Sequence, residues 1–230
     1  MKQDFAAMVL GGTGQVGGAA VAELLAIPEC REIVLISRRD VPERPRVRVV
    51  VLHTAAPEFA QRVAEVAASV LSQGPASAVS CAGVGSGSAR WSDDELTRLE
   101  VGVVGGFAQG CHDAGIRQFC LLSAAGSSAH SRFRYFRVMG LKEDRVRAIH
   151  FRRLGIFRPG IIAGNAHTPA YVSFLGRFVP GSLGNIEQRI LGRSIAAEIV
   201  LHSQASGEVV RANGAMKKLA AELRMAGVRQ

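Results

Sequence analysis

The sequence predicts a three-layer, doubly wound α/β fold with a mainly parallel sheet, and three observations carry that expectation. The first is a glycine-rich turn, Gly11-Gly12-Thr13-Gly14-Gln15-Val16-Gly17, set between a short apolar run and a helical pattern. The second is the alternation of apolar runs with segments of helical periodicity along the chain, the signature of βα units around a parallel sheet. The third is size and composition. The chain has 230 residues, 48% hydrophobic and 20% charged, which suits one α/β domain with a substantial core and argues against two full domains or long disorder. The expected sheet order is 3-2-1-4-5-6, with right-handed crossovers. Residues 1–230 read as a single domain, with a small substrate-side region over about 161–206.

Each element has its own signal. Ala6-Ala7-Met8-Val9-Leu10 is the first strand, and the helix after the glycine turn carries apolar residues at Val16, Ala19, Ala20, Leu24 and Ile27. Pro28-Glu29-Cys30 breaks that pattern. Ile33 to Ile36 then reads as a fully buried strand whose carboxyl edge is Ser37-Arg38-Arg39. Pro42 and Pro45 lead to a third strand, Val47 through Val51. Pro57 opens a helix with an apolar face of Phe59, Val63, Val66, Val70 and Leu71, and Gln73-Gly74-Pro75 ends it. The fourth strand, Ala76 to Cys81, is closed by Ala82-Gly83 and a loop, Gly85-Ser86-Gly87-Ser88.

Ser92, with Glu95 in capping-box spacing, predicts a helix running to Gly115. Its glycines, Gly102, Gly105, Gly106 and Gly110, lower helix propensity, and close packing on a neighbouring helix would offset that loss. Phe119-Cys120-Leu121-Leu122 is the fifth strand and ends in Ser123. A Gly/Ser-rich loop, Ala124 to Ser131, precedes a helix carrying Tyr135. Leu154 to Arg158 is the sixth strand, stopped by Pro159-Gly160. The stretch from Ile161 to Ser206 reads as irregular, then helical. Glu208-Val209-Val210 reads as a last strand before an amphipathic C-terminal helix.

Composition narrows the function classes. No run approaches the roughly eighteen consecutive apolar residues of a membrane span. Met1-Lys2-Gln3-Asp4 enters the first strand almost at once, so no cleaved signal is expected and the cytoplasm is the default address. A mitochondrial address with a very short leader is the alternative. Cys30, Cys81, Cys111 and Cys120 show no metal-ligand spacing, and the histidines form no base or metal constellation, so no metal site is expected. The net charge of +9 could mark a nucleic-acid surface. However, the only lysines are Lys2, Lys142, Lys217 and Lys218, aromatics are 6%, and no RNA-binding or helix-turn-helix motif is present, so nucleic acid is disfavoured as a partner.

The glycine turn is where chemistry begins. Read from Gly12 it spells G-x-G-x-x-G, which places backbone amides and a helix N-terminus where a pyrophosphate can sit. Glycine is required because side chains would block both the tight turn and the approach of phosphate oxygens. Gly11, Thr13, Gly14, Gln15, Val16 and Gly17 are therefore candidate cofactor-binding residues. The residue about twenty positions further on meets the adenosine ribose. A carboxylate there would favour NAD. This chain has Ser37, followed by Arg38 and Arg39, a hydroxyl and two guanidinium groups that can hold a 2′-phosphate, so NADPH is the expected cofactor. Asp40 stands three positions beyond the strand edge and reads as a solvated loop charge. The plainer alternative is that Arg38 and Arg39 are two surface arginines in an arginine-rich protein.

The runs Leu121-Leu122-Ser123, Phe133-Arg134-Tyr135-Phe136-Arg137-Val138 and Phe157-Arg158-Pro159-Gly160 resemble the Tat-interacting-protein oxidoreductase family, an atypical branch of the short-chain dehydrogenases/reductases. The likeness runs from the glycine turn to about Gly160. It implies a single Rossmann domain binding NADPH, with Cys81, Ala82 and Gly83 beneath the cofactor and the backbone around Pro159 and Ile161 near the nicotinamide. It also implies a small-molecule carbonyl substrate. In the wider superfamily a serine holds the carbonyl, a tyrosine donates a proton, and a lysine four residues later lowers the tyrosine pKa. Ser123 and Tyr135 match the first two, whereas Met139 stands at the lysine position. Lys142 lies about 10.5 Å along the helix from Tyr135 rather than about 6 Å, a poor substitute, and Arg137 points to a different side.

Three readings follow: a carbonyl reductase with altered catalysis, a non-catalytic NADPH-binding sensor or accessory subunit of a larger assembly, and a scaffold using the arginines between Arg132 and Arg158. A substrate pocket is expected over Ala163 to Gly184, with His167, Tyr171, Phe174 and Phe178.

Overall fold

Strand β1 (Phe5–Leu10) is buried on both faces, which is why it reads as an uninterrupted apolar run. Ala6, Met8 and Leu10 enter one half of the core, and Ala7 and Val9 the other. The computed structural model describes residues 3–42, 44–83, 91–163 and 184–226. The loop Gly85-Ser86-Gly87-Ser88 and the expected pocket residues His167, Tyr171, Phe174 and Phe178 lie outside the described residues.

Around β1 the sheet is built from β2 (Cys30–Ser37), β3 (Val47–Val51), β4 (Ala76–Ser80), β5 (Gln118–Leu122) and β6 (Arg153–Phe157). Two short strands, β7 (Ile161–Ala163) and β8 (Asn185–Glu187), pair with each other in parallel outside it. A further strand, β9 (Gly207–Arg211), pairs in parallel with β6, giving the order β3-β2-β1-β4-β5-β6-β9. The first six follow the expected order, and the Glu208-Val209-Val210 run supplies the seventh. Every pairing in this sheet is parallel.

Helices cover both faces. Helices α1 (Gln15–Leu25), α6 (Gln188–Leu201) and α7 (Asn213–Met225) pack on one side, through residues such as Leu24, Leu191, Ile195 and Leu219. On the other side lie α2 (Phe59–Leu71), α4 (Val104–Asp113) and α5 (Arg134–Arg147), whose Val63, Phe107 and Val146 share a second apolar cluster. The helix expected over 92–115 begins as foreseen. Ser92 caps α3 (Asp93–Thr97) in a reciprocal capping box with Glu95. It then widens into a π-helical segment, Arg98–Val103, before continuing as α4. π turns carry one extra residue per turn and are frequent at functional sites. Here the segment buries Glu100, which is 1% exposed.

The β5–β6–β9 side is held by a buried polar network. Glu198, on α6, accepts hydrogen bonds from Arg153 Nε and Arg211 Nε, each at 2.7 Å, while the Gln118 side-chain amide donates to the Glu198 carbonyl at 2.8 Å. Each of these charges has a partner, as burial requires.

Candidate functional site

The carboxyl ends of β1, β2 and β4 open into a cleft of about 530 Å³. Gly11, Thr13 and Gly14 line it from the glycine turn, Ser37, Arg38 and Arg39 from the end of β2, and Cys81, Ala82 and Gly83 from the end of β4. Nine residues expected at a cofactor from sequence therefore share one cavity. The turn has the geometry that glycine permits. Gly11 sits at φ +80°, and a Cβ there would lie 2.5 Å from the Ala82 nitrogen. A Cβ on Gly17 would lie 2.1 Å from the Gly11 carbonyl oxygen. Gly14 is the N-cap of α1, and no side chain caps that helix. An anion in the cleft can therefore meet first-turn amides that a helix cannot pair internally. Val16 and Gly17 are buried beneath the turn, and the Gln15 side-chain oxygen accepts a hydrogen bond from Gln188 Nε2 at 3.1 Å.

At the β2 edge Ser37 acts on its own loop. Its hydroxyl donates to the Arg39 carbonyl at 2.7 Å and accepts from the Arg39 amide at 3.2 Å, fixing a tight turn that presents Arg38 and Arg39. Both arginines are exposed, and neither forms an ion pair among the described residues. Asp40 is closer to the site than its sequence position suggests, since it lines the same cleft, with its carboxylate accepting from the Val41 amide at 3.0 Å. Trp91, Leu99 and Val103 close the opposite wall. Trp91 and Leu99 carry no motif, and only their position around the capping box of α3 could have drawn attention to them.

The expected catalytic pair is not joined by a hydrogen bond. Ser123 is buried, and its hydroxyl donates to Glu143 Oε1 at 2.5 Å and lies 3.0 Å from the Ser127 hydroxyl. Glu143 is eight residues beyond Tyr135 on α5, about 12 Å along its axis. Glu143 is also clasped by Arg158, whose Nε donates to it at 2.8 Å. Ser123 is thus held in an ionic network under the loop that follows β5. Tyr135 packs instead against the buried cluster of Leu96, Val138 and Met139, against which Trp91, Val101 and Ala124 also pack. Burial, and after it the negative charge of Glu100, push its phenol up to about 12. Met139 is 1% exposed in the same cluster and brings no charge.

Lys142 is buried as well, and its ammonium donates to Glu100 Oε2 at 2.9 Å. The Glu100 carboxylate lies directly behind Gly83, where a Cβ would come within 3.1 Å of Oε1. Sequence reasoning missed Glu100, because a π turn leaves no periodic signal. At the β6 edge the Pro159 carbonyl accepts from the Ala125 amide at 2.8 Å. The next turn is pinned by Asn213, which accepts from the Gly160 amide at 3.1 Å and donates to the Gly184 carbonyl at 2.6 Å. Pro159 and Ile161 do not line the 530 Å³ cleft. Among the described residues no group of three or more His, Cys, Asp or Glu could hold a metal ion, and no helix is long and apolar enough to cross a membrane.

No family model matches the sequence. A search of curated proteins finds the mitochondrial protein fmp52 of Aspergillus clavatus, 32% identical over 178 residues, 77% of this chain and 75% of that protein. The chain belongs to the fmp52 family. A second member, from Aspergillus niger, is 28% identical over 207 residues, 90% of this chain and 88% of its own. These fmp52 proteins are named as mitochondrial, a compartment other than the cytoplasm expected from the sequence. Among solved structures, the oxidoreductase ylbE from Lactococcus lactis matches with a TM-score of 0.66 and 16% identity over 98% of this chain and 99% of that one. MoeE5 in complex with UDP-glucose and NAD matches with a TM-score of 0.65 and 15% identity over 95% of this chain and 81% of that one. At these identities the structural likeness speaks to the fold, which is the Rossmann arrangement expected from the glycine turn.

Proposed function

We propose that this fmp52-family chain binds NADPH in the 530 Å³ cleft and acts as a carbonyl reductase of altered catalysis. The observation that carries the cofactor assignment is the turn at the β2 edge, where Ser37 organises the loop and two exposed arginines face the cleft. A 2′-phosphate would meet guanidinium groups there, and charge-assisted bonds of this kind are about twice as strong as neutral ones. The glycine cradle fits a pyrophosphate, since side chains at Gly11 or Gly17 would fill it. The MoeE5 structure holds NAD in the same fold. Against NAD in this chain stands the absence of a carboxylate at Ser37, although Asp40 provides one further along the cleft wall.

A bound dihydronicotinamide would supply a hydride to a carbonyl carbon, itself being oxidised as the carbonyl is reduced. The chain's own part is to bind, to exclude water and to deliver a proton. Tyr135 is the proton donor in this reading, and Cys81, Ala82 and Gly83 form the floor. The likeness to the Tat-interacting-protein oxidoreductases supports the same assignment through the Leu121-Leu122-Ser123 and Phe133–Val138 runs. Two features favour a second reading, a cofactor-binding sensor or accessory subunit without turnover. They are Met139 in place of the lysine and the tethering of the Ser123 hydroxyl to Glu143.

Direct titration with NADPH and NADH, run beside Arg38→Ala, tests the assignment. NADPH is expected to bind at least about tenfold more tightly than NADH, and Arg38→Ala to remove most of that preference, since about 1.4 kcal/mol from one charge-assisted contact is a factor of ten. Equal affinities, or no binding of either nucleotide, would sink the assignment. Reduction of a carbonyl panel separates the two readings. The names of the fmp52 relatives lead us to assign this chain to mitochondria in preference to the cytoplasm, and a diffuse cytoplasmic signal from the tagged chain would reverse that choice.

A further inference from the structure

A cavity of about 600 Å³ lies at the opposite end of the sheet from the cofactor cleft, beneath the amino ends of β1, β4, β5 and β6, and nothing in the cofactor assignment uses it. Ser77 lines it at the start of β4, whereas Ala82 lines the cleft just past the end of that strand. At about 3.3 Å per residue, roughly 16 Å of strand separates the two. Ligands of open α/β sheets gather at the carboxyl ends, so this cavity needs an explanation of its own.

Its walls are largely apolar. Phe5 stands at the start of β1, Leu71 ends α2, and Ile199, Val200 and Leu201 form the last turn of α6. Its floor is polar and ordered. Ser77 and Gln118 are only 6% and 3% exposed. The Ser77 hydroxyl donates to Gln118 Oε1 at 2.8 Å, and Gln118 Nε2 donates to the Glu198 carbonyl at 2.8 Å. Those bonds leave a second N–H on the Gln118 amide. Apolar walls with a few convergent polar groups are the usual make-up of a small-molecule site.

Charge at the rim is divided by position. Gln118 and Arg153 are register partners on β5 and β6, so Arg117 and Arg152, one residue earlier on each strand, stand side by side about 5 Å apart. Both are exposed, and both line the cavity. Neither forms an ion pair among the described residues, and Arg152 donates instead to the Gln204 carbonyl at 2.8 Å. This contrasts with Arg153, held on Glu198 a single residue further along β6. The one carboxylate lining the cavity, Glu29, precedes β2, and its carbonyl accepts from the Phe5 amide. That places it three strands from β5, roughly 14 Å from the arginines.

We propose that this cavity is a second ligand site, for a medium-chain acyl carboxylate bound with its head between Arg117 and Arg152 and its hydrocarbon chain along Phe5, Leu71, Ile199 and Leu201. Two guanidinium groups and the spare Gln118 N–H suit the two oxygens of a carboxylate. Glu29 fixes the direction, because a carboxylate at its end would meet like charge and no donor fork. The chain then crosses β4 toward β1, over side chains that gain by being covered. The proposal is independent of the NADPH reading.

Calorimetric titration of the whole chain with decanoate, octanoate and decyltrimethylammonium tests it, with circular dichroism confirming the fold of every sample. Decanoate is expected to bind at submillimolar concentration. Octanoate, two methylenes shorter, should bind about fifteenfold more weakly, at about fourfold per buried methylene. Decyltrimethylammonium, with the same chain and the opposite charge, should bind at least about tenfold more weakly than decanoate. Arg117→Ala/Arg152→Ala should lower decanoate affinity at least about tenfold. Leu201→Asp, which sets a carboxylate in the exposed wall, should do the same without touching either arginine. Saturating NADPH and the Arg38→Ala change should leave decanoate affinity as it was, so a chain that binds no nucleotide still gives a clear answer here. No heat from decanoate at millimolar concentration, equal affinity for the two charges, folded variants that bind like the parent, or displacement by NADPH overturns the proposal.

Discussion

Gly17 shows how one missing atom can define a site. Its absent Cβ would sit 2.1 Å from the Gly11 carbonyl oxygen and 2.9 Å from the Gly12 Cα, backbone atoms that cannot move without opening the turn. At Gly14 the corresponding approach is 3.3 Å, tight but short of a clash. We therefore expect Gly17→Ala to abolish NADPH binding and to destabilise the fold by about 1–3 kcal/mol through overpacking. Gly14→Ala should keep the fold and bind less tightly. Thermal melts with and without NADPH check both, and a Gly17→Ala protein that binds like the parent would remove the cradle from the argument. This part of the site was legible because glycines and a paired Ser37-Arg38 edge announce themselves by residue type. Ser123 was not legible in the same way. Its partners Glu143 and Ser127 decide where its hydroxyl points, and one of them lies 20 residues away.

At the scale of elements the least expected feature is the long segment after β4. Its capping box, its end near Gly115 and its glycines were readable, but the π-helical insertion was not, because nothing in an apolar period of about 3.6 residues marks one extra residue. The glycines turn out to have different reasons. A Cβ on Gly110 would lie 2.3 Å from the Ala60 carbonyl oxygen and 2.8 Å from Val63 Cβ, so α4 and α2 touch at that point. A Cβ on Gly102 would meet only Arg98 Cγ, at 4.0 Å. Helix propensity alone says that either glycine replaced by alanine gains up to about 1 kcal/mol. Packing reverses the sign at one of them. Gly110→Ala is expected to lose about 1–3 kcal/mol because the colliding atoms belong to a neighbouring backbone, while Gly102→Ala should be neutral or stabilising. Urea unfolding of both variants decides the matter, and a stabilised Gly110→Ala would show that the two helices can separate at no cost.

Over the whole molecule, the order of the first six strands followed from the alternation of buried runs and helices, since a parallel sheet buried on both faces leaves few alternatives. The arginine excess was harder to interpret from sequence. Much of it is turned inward or held in pairs: Arg153 and Arg211 on Glu198, Arg158 and Arg147 on Glu143, Arg193 and Arg189 on Glu23. Arginine suits such places because its planar fork can satisfy a carboxylate with two bonds. The cysteines also belong to the interior. All four are free and buried. Burial raises Cys30 from 9.0 to about 11 and Cys81 to about 12, and lifts Cys111 and Cys120 well above the usual range. In the unfolded chain these thiols ionise near 9, so above that pH the folded state holds more protons than the unfolded one, and stability must fall as pH rises. Below pH 9 both states are protonated and the cysteines contribute no slope. The protein should therefore keep a level melting temperature from these groups up to about pH 9 and lose it progressively through pH 11 to 12. In the same native samples a disulfide reagent at pH 8 should label none of the four thiols until denaturant is added, because the thiolate is the reacting form. A melting temperature unchanged at pH 11, or rapid native labelling, would mean that the core is open to solvent where the sheet and its helices close it.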